Sequence, residues 1–197
     1  VLTPPAATAR HLVGVLRLDP GRPVTYTDGA GTTGDGVWTG TEIRRGDESG
    51  VQPSGDVIIA VAPPKGSDRQ RFVVEKLAEL GVGRLIWLST RYGDARPPRA
   101  AKADAWAIGA LEQSRGAWKM RIEGPIRLED LPPGFLLADQ GGESLSARGG
   151  PVTIAIGPAG GWHPDEIAVE ARTVSLGTSV LRTETAAIAA AVLATIG

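Results

Sequence analysis

The sequence predicts an α/β protein whose mostly parallel sheet carries helices on both faces and follows a small β-rich N-terminal segment. Two observations lead there. After residue 56, short apolar runs alternate with segments of helical period; before residue 50, β-prone runs are broken by Asp-Gly and Gly-rich turns. Composition agrees: of 197 residues, 42% are apolar and 22% charged, the balance of an ordinary globular chain. A chain of this length buries a sizeable core in one domain or two.

Taken in order, residues 11–45 alternate apolar runs with turns. Val24, Thr25, Tyr26 and Thr27 read as one strand, Asp28-Gly29 and Gly34-Asp35-Gly36 as turns, and Val37-Trp38-Thr39 as another strand, together a small barrel or sandwich. Residues 46–55, rich in Gly, Ser, Asp and Pro, read as a linker, so the expected domains are 1–50 and 56–197. Residues 57–61 form an apolar strand. Residues 68–80 form a helix with Val73, Leu77 and Leu80 on one face and Gly81 as its stop. A strand is expected at 84–88 and a helix at 100–114, with Ala101, Ala105, Ile108 and Leu111 sharing a face. Strands at 135–138 and 152–156, a short helix at 164–171, a strand at 173–176 and an alanine-rich closing helix at 185–196 complete the pattern.

Several chemistries are excluded or disfavoured. With no cysteine there is no disulfide framework or thiolate site, and His11 and His163 stand in no metal-ligand spacing, so no metal is expected. The apolar stretch 185–197 is too short to span a bilayer, which needs about 20 residues, and the N-terminus has no basic-then-apolar export signal, so a cytoplasmic protein without membrane contact is expected. No phosphate-binding P-loop, dinucleotide fingerprint or G-x-S-x-G elbow is present. Net charge is -1, but residues 84–121 are locally basic, which suits either a solvated surface or a phosphate-contacting face.

Two segments stand where α/β sheets bind ligands, at the carboxyl ends of strands. One is Gly157-Pro158-Ala159-Gly160-Gly161-Trp162, directly after the strand ending at Ile156; its glycines serve a tight turn or a close approach of backbone to ligand. Gly160 and Gly177 are expected to resist bulky side chains. The other segment, residues 176–185, joins the last strand to the last helix. Capping alone explains Glu184, Thr183 and Thr185 there, but it does not explain Arg182, a cation at the positive end of a helix.

Together these segments resemble the RsmE family of the SPOUT superfamily of RNA methyltransferases, whose members carry I-G-P-E-G-G-[FW] and L-G-x-x-[VI]-L-R-x-E-T-A. Here the motifs stand as residues 156–162 and 176–186, joined by further matches at His11-Leu12, Arg17, Lys65-Gly66, Asp68-Arg69, residues 76–82, Arg91 and residues 112–115. Ala159 takes the place of the family's glutamate, and His163-Pro164 that of a small polar cap. The resemblance implies a PUA-like β-barrel before a trefoil-knotted SPOUT domain, a homodimer, and S-adenosylmethionine-dependent methylation of N3 of a uridine in small-subunit ribosomal RNA.

By the same resemblance, the cofactor falls to Ile156, Gly157, Pro158, Gly160, Gly161, Leu176, Gly177, Leu181, Thr183 and Thr185. Arg182 is expected to stabilise charge on the uracil or anchor a phosphate, and Glu184 to orient it. RNA contact is expected from Arg10, His11, Arg17, Lys65, Arg69, Arg91, Arg99 and Arg115 on ribosomal RNA or the small ribosomal subunit. Two alternatives remain: a knotted methyltransferase acting on another RNA such as transfer RNA, and a catalytically silent RNA-binding module of ribosome assembly.

Overall fold

The computed structural model describes residues 1–53, 55–146, 150–167 and 172–195. The chain divides into two compact units, Val1–Gln52 with Arg115–Trp118, and Pro53–Ser114 with Lys119–Gly197. The sequence pattern had carried no sign that residues 115–118 leave the second unit for the first.

In the first unit, α1 (Ala6–Arg10) continues into a π-helical turn, His11–Val15, where an apolar strand-like run was expected. The wide turn is closed by bonds from the Leu16 amide to the His11 carbonyl (3.0 Å) and from the Leu18 amide to the Leu12 carbonyl (2.9 Å). Three antiparallel strands follow in the order β1 (Pro23–Thr27), β2 (Thr32–Trp38) and β3 (Ile43–Gly50). Trp38 and Ile43 are their buried anchors.

The turn between β1 and β2 is built by Asp28, whose carboxylate accepts the amides of Ala30 (2.7 Å) and Thr32 (2.9 Å). Those amides, Ala30 first, hold its carboxyl below the usual carboxylate range. β3 occupies the first half of the expected linker. Pairing persists there because a bulge sets Gly46 and Asp47 of β3 against Asp35 of β2, and a Cβ on Gly46 would lie 2.9 Å from the Asp35 carbonyl oxygen. Trp118 lies over Gly31 and donates its indole N–H to the Val51 carbonyl (2.8 Å).

The second unit is a six-stranded sheet in the order β6 (Arg121–Ile126), β5 (Arg84–Leu88), β4 (Val57–Val61), β8 (Val152–Ile156), β7 (Leu136–Ser144), β9 (Arg172–Ser175), with every pairing parallel. β6 escapes the sequence pattern because its run is mostly exposed and carries Arg121, Glu123, Gly124 and Pro125. Along the central strands alternate residues enter different cores. Val57, Ile59 and Val61 join one cluster with Leu85, Trp87 and Ile154, while Ile58 and Ala60 join the other with Ile86, Leu88 and Ala155. A central strand buried on both faces therefore reads as an unbroken apolar run.

The α-helices of this unit are α2 (Ser67–Glu79), α3 (Ala100–Ser114) and α4 (Thr183–Thr195). All three pack against the first cluster. The expectation of helices on both faces is corrected among the described residues: the opposite face is covered by Leu128 and Leu131 around a 3-10 turn, with Phe135, Trp162 and Ile167. Pro132 and Pro133, which cannot donate helical hydrogen bonds, follow Leu131 directly. Of the expected helix at 164–171 the described part is a 3-10 turn, Pro164–Glu166; residues 168–171 lie outside the described residues, as does Ile196 of the closing helix. α3 buries Ala103, Ala107, Ala110 and Leu111 and leaves Ala101, Ala105 and Ile108 exposed, a rotation from the expected face. Alanines at 103, 107 and 110 let α3 lie close to α2, which larger residues on that stripe would prevent.

Candidate functional site

At the carboxyl ends of β7, β8 and β9 three loops enclose a cleft of about 240 Å³. Of the residues expected to hold a cofactor, Ile156, Gly157, Pro158, Gly161, Leu176, Gly177, Leu181 and Thr183 line it, whereas Gly160 and Thr185 do not. Asp139 and Gln140 at the end of β7, with Trp162, Ser175 and Ser179, line it too and were missed. A signal for the first two was present: a polar, glycine-rich run follows the apolar residues 135–138, at the carboxyl end of a parallel strand. Among the described residues, Asp139 is the one ionisable side chain on the cleft wall.

Side chains tie the loops together. Trp162 lies on Gly157, where a Cβ would come within 2.9 Å of its ring, and donates its indole N–H to the Ala138 carbonyl (3.2 Å), joining the β8 loop to the end of β7. Thr183, buried at the start of α4, donates its hydroxyl to the Gly157 carbonyl (3.1 Å) and so joins the two motif loops. The Gln140 amide donates to the Thr178 carbonyl (3.4 Å). Gly161 (φ 76°) and Gly177 (φ 141°) adopt backbone conformations open to glycine, and the space beside Gly177 is empty. Gly160 has no such conformation; a Cβ there would meet the Tyr92 side chain at an ordinary 3.4 Å.

Arg182 is exposed at the end of the 176–182 loop and has no ion pair among the described residues. Glu184 is nearly covered, its side chain 12% exposed, and its charge partner is Arg69 of α2 at 3.7 Å rather than Arg182. Neither Arg182 nor Glu184 lines the cleft.

The cations expected to meet RNA divide by surroundings. Arg10, His11, Arg17 and Arg115 are exposed in the first unit, Arg17 and Arg115 with left-handed backbone (φ 50° and 54°). In the second unit Lys65 pairs with Asp94 (2.8 Å), whose carboxyl is held low chiefly by that hydrogen bond. Arg91 is a clasp between loops. Its amide donates to Glu166 (2.8 Å) and its guanidinium to Asp165 (2.9 Å), tying the β5 loop to the β8 loop. Arg99, like Arg96, is exposed without an ion pair among the described residues. Beneath them the buried Gln70 amide donates to the carbonyls of Pro64 (3.0 Å) and Arg96 (2.8 Å), holding the β4 and β5 loops at one spacing. Among the described residues no three His, Asp or Glu side chains gather as a metal site, and no helix is long and apolar enough to cross a membrane.

Known proteins share this architecture. A ribosomal RNA small subunit methyltransferase E from Rickettsia conorii is 30% identical over 149 residues, 67% of this chain, and the match spans 61% of that relative's length. A probable rRNA-methyltransferase from Porphyromonas gingivalis, 30% identical, superposes with a TM-score of 0.83 over 95% of this chain and 89% of that one. A ribosomal RNA small subunit methyltransferase E from Neisseria gonorrhoeae bound to S-adenosyl methionine, 26% identical, superposes with a TM-score of 0.82 over 96% and 89%. Residues 51–195, which hold the whole cleft, match the family described as RNA methyltransferase domain. The resemblance carried by the two glycine motifs and the parallel sheet that positions them lead to one assignment: the chain belongs to the RNA methyltransferase domain family.

Proposed function

We propose that this protein transfers the methyl group of S-adenosylmethionine to N3 of a uridine in small-subunit ribosomal RNA. The observation that carries the reading is the cleft at the ends of β7, β8 and β9, built by both motif loops and joined by the Thr183–Gly157 hydrogen bond. Its walls fit the cofactor. Main chain at Gly161 and Gly177 leaves room for close approach, Ile156, Leu176 and Leu181 offer apolar surface to an adenine, and Asp139 offers a carboxylate to a cationic ligand. The N. gonorrhoeae relative, with S-adenosyl methionine bound, supports the same ligand here.

S-adenosylmethionine supplies an electrophilic methyl group, and the rest falls to the chain. Uracil N3 must lose its proton and present its lone pair in line, so the enzyme gains by fixing the base and by offset of the negative charge spreading onto the uracil oxygens. Arg182, which pairs with no carboxylate among the described residues and adjoins cleft-lining Leu181 and Thr183, suits the second task. Glu184 holds Arg69, so we assign it an orienting role through that cation. The target base must leave its stack to be reached.

The finer architecture belongs to the same proposal: a PUA-like barrel in the first unit, a trefoil knot in the second, domains of 1–50 and 56–197, and a cytoplasmic homodimer. The insertion of β8 between β4 and β7 and the bond between the 157–161 and 176–183 segments support the knot. The half-buried Ile188, Val192 and Leu193 of the apolar α4 support the dimer. The test is transfer of labelled methyl from S-adenosylmethionine to small ribosomal subunits from cells lacking the protein, with mapping of the modified nucleotide. Label on transfer RNA would redirect the substrate, and absence of any heat on cofactor titration would leave an RNA-binding module.

A further inference from the structure

We propose that Tyr92 and His163 form a stacking platform for an unpaired base of the RNA, beside the cofactor cleft; the inference rests on the RNA methylation proposed above. Tyr92 is 52% exposed, and its ring meets that of His163 edge to face, with centroids 5.2 Å apart and planes at 61°. An exposed tyrosine is common on protein surfaces, so exposure by itself assigns nothing. What sets this one apart is how it is held and what it adjoins.

Both segments that carry the pair are pinned. On one side of Tyr92 the Arg91 amide and guanidinium bind Glu166 and Asp165; on the other, the Gly93 amide donates to the Thr90 carbonyl (3.2 Å). The His163 amide donates to Glu166 (3.2 Å), and its Nδ1 accepts the Asp165 amide (3.1 Å), which leaves the proton of the neutral ring on Nε2. A base docking on this pair meets rings already ordered, so little conformational freedom is lost.

The pair also borders the chemistry. Gly157, Pro158, Gly161 and Trp162 line the cleft, while Gly160 and His163 of the same loop lie against Tyr92. Arg96 and Arg99 follow on the β5 loop without carboxylate partners among the described residues, suited to phosphates of a strand crossing it. Single-stranded RNA is read by this combination of aromatic faces and nearby cations, and a π face tolerates any base. Leucine in place of the tyrosine keeps apolar bulk and removes the π face, so stacking is separable from apolar contact.

The full chain is titrated with a fluorescent oligouridylate and with an abasic ribose-phosphate oligomer of the same length, as wild type, Tyr92→Phe, Tyr92→Leu and Tyr92→Ala, beside S-adenosylmethionine titration of each. Wild type and Tyr92→Phe are expected to favour oligouridylate over the abasic oligomer by about tenfold. Tyr92→Leu and Tyr92→Ala lose that preference and keep both abasic and cofactor binding. A preference that survives in Tyr92→Leu and Tyr92→Ala, a wild type without one, or loss of cofactor affinity alongside it in these variants overturns the platform. Failure of the wild type to bind S-adenosylmethionine or methylate ribosomal RNA overturns instead the function on which it rests.

Discussion

Arg182 and Glu184 differ in what surrounds them, and so should their variants. Arg182→Ala removes a cation that nothing in the described chain uses, so folding and cofactor affinity should hold. Methylation should slow by at least tenfold, about 1.4 kcal/mol of barrier, in single-turnover assays. Glu184→Gln breaks the pairing with Arg69. It should slow turnover with near-normal melting; a modest melting loss with normal turnover would reduce Glu184 to a helix cap. The glycines divide as sharply. Gly177→Val forces a β-branched residue to φ 141° on the cleft wall and should weaken S-adenosylmethionine binding at least tenfold by calorimetry, whereas Gly160→Ala should leave it nearly unchanged. Counting glycines in the motif could not separate these positions, because the demand comes from backbone conformation and from Trp162 lying on Gly157.

Among elements, the β1–β2 turn makes a prediction about acid. The Asp28 carboxyl is held below its usual value by the amides of Ala30 and Thr32, so its stabilisation is full above the unfolded-state value and fades as pH falls through the lower folded-state one. Melting followed from neutral pH downward should show wild type losing more than Asp28→Asn below about pH 4; parallel curves would remove the turn from the acid response. Elements with a strong period were legible in the sequence: the strands at 57–61, 84–88 and 152–156, and the helices over 68–80 and 100–114, stand within a residue or so of expectation. Where period competes with tertiary packing the text was ambiguous. α3 offers small or apolar residues on more than one side, and its contact with α2 selects the stripe through Ala103 and Ala107. β6 and the π-turn at His11–Val15 had no local signature: β6 is placed by its pairing with β5, and the turn is closed by wide bonds within its own segment.

For the whole molecule, α4 carries apolar side chains that the described chain covers only in part. It is apolar nearly throughout, yet beside the buried Ala187, Ala190, Ala191 and Ala194 it leaves Ile188, Val192 and Leu193 only half-covered. We predict that a second copy covers them: light scattering at micromolar concentration should give a dimer mass, and Val192→Glu should shift it toward the monomer. The cleft's position was legible because each glycine motif follows the carboxyl end of a parallel strand, while its wall at Asp139, on β7 between β8 and β9, and the pairing of Glu184 with Arg69 were not, since both depend on strand order. The bond from Thr183 to Gly157 also means that the ligand loop and the first turn of α4 cannot loosen independently. Ligand capture should therefore be readable as slowed hydrogen–deuterium exchange at the Ala186 and Ala187 amides, which close that turn. In Thr183→Val the slowing should shrink even at saturating ligand, so that the start of the helix serves as a built-in reporter of occupancy.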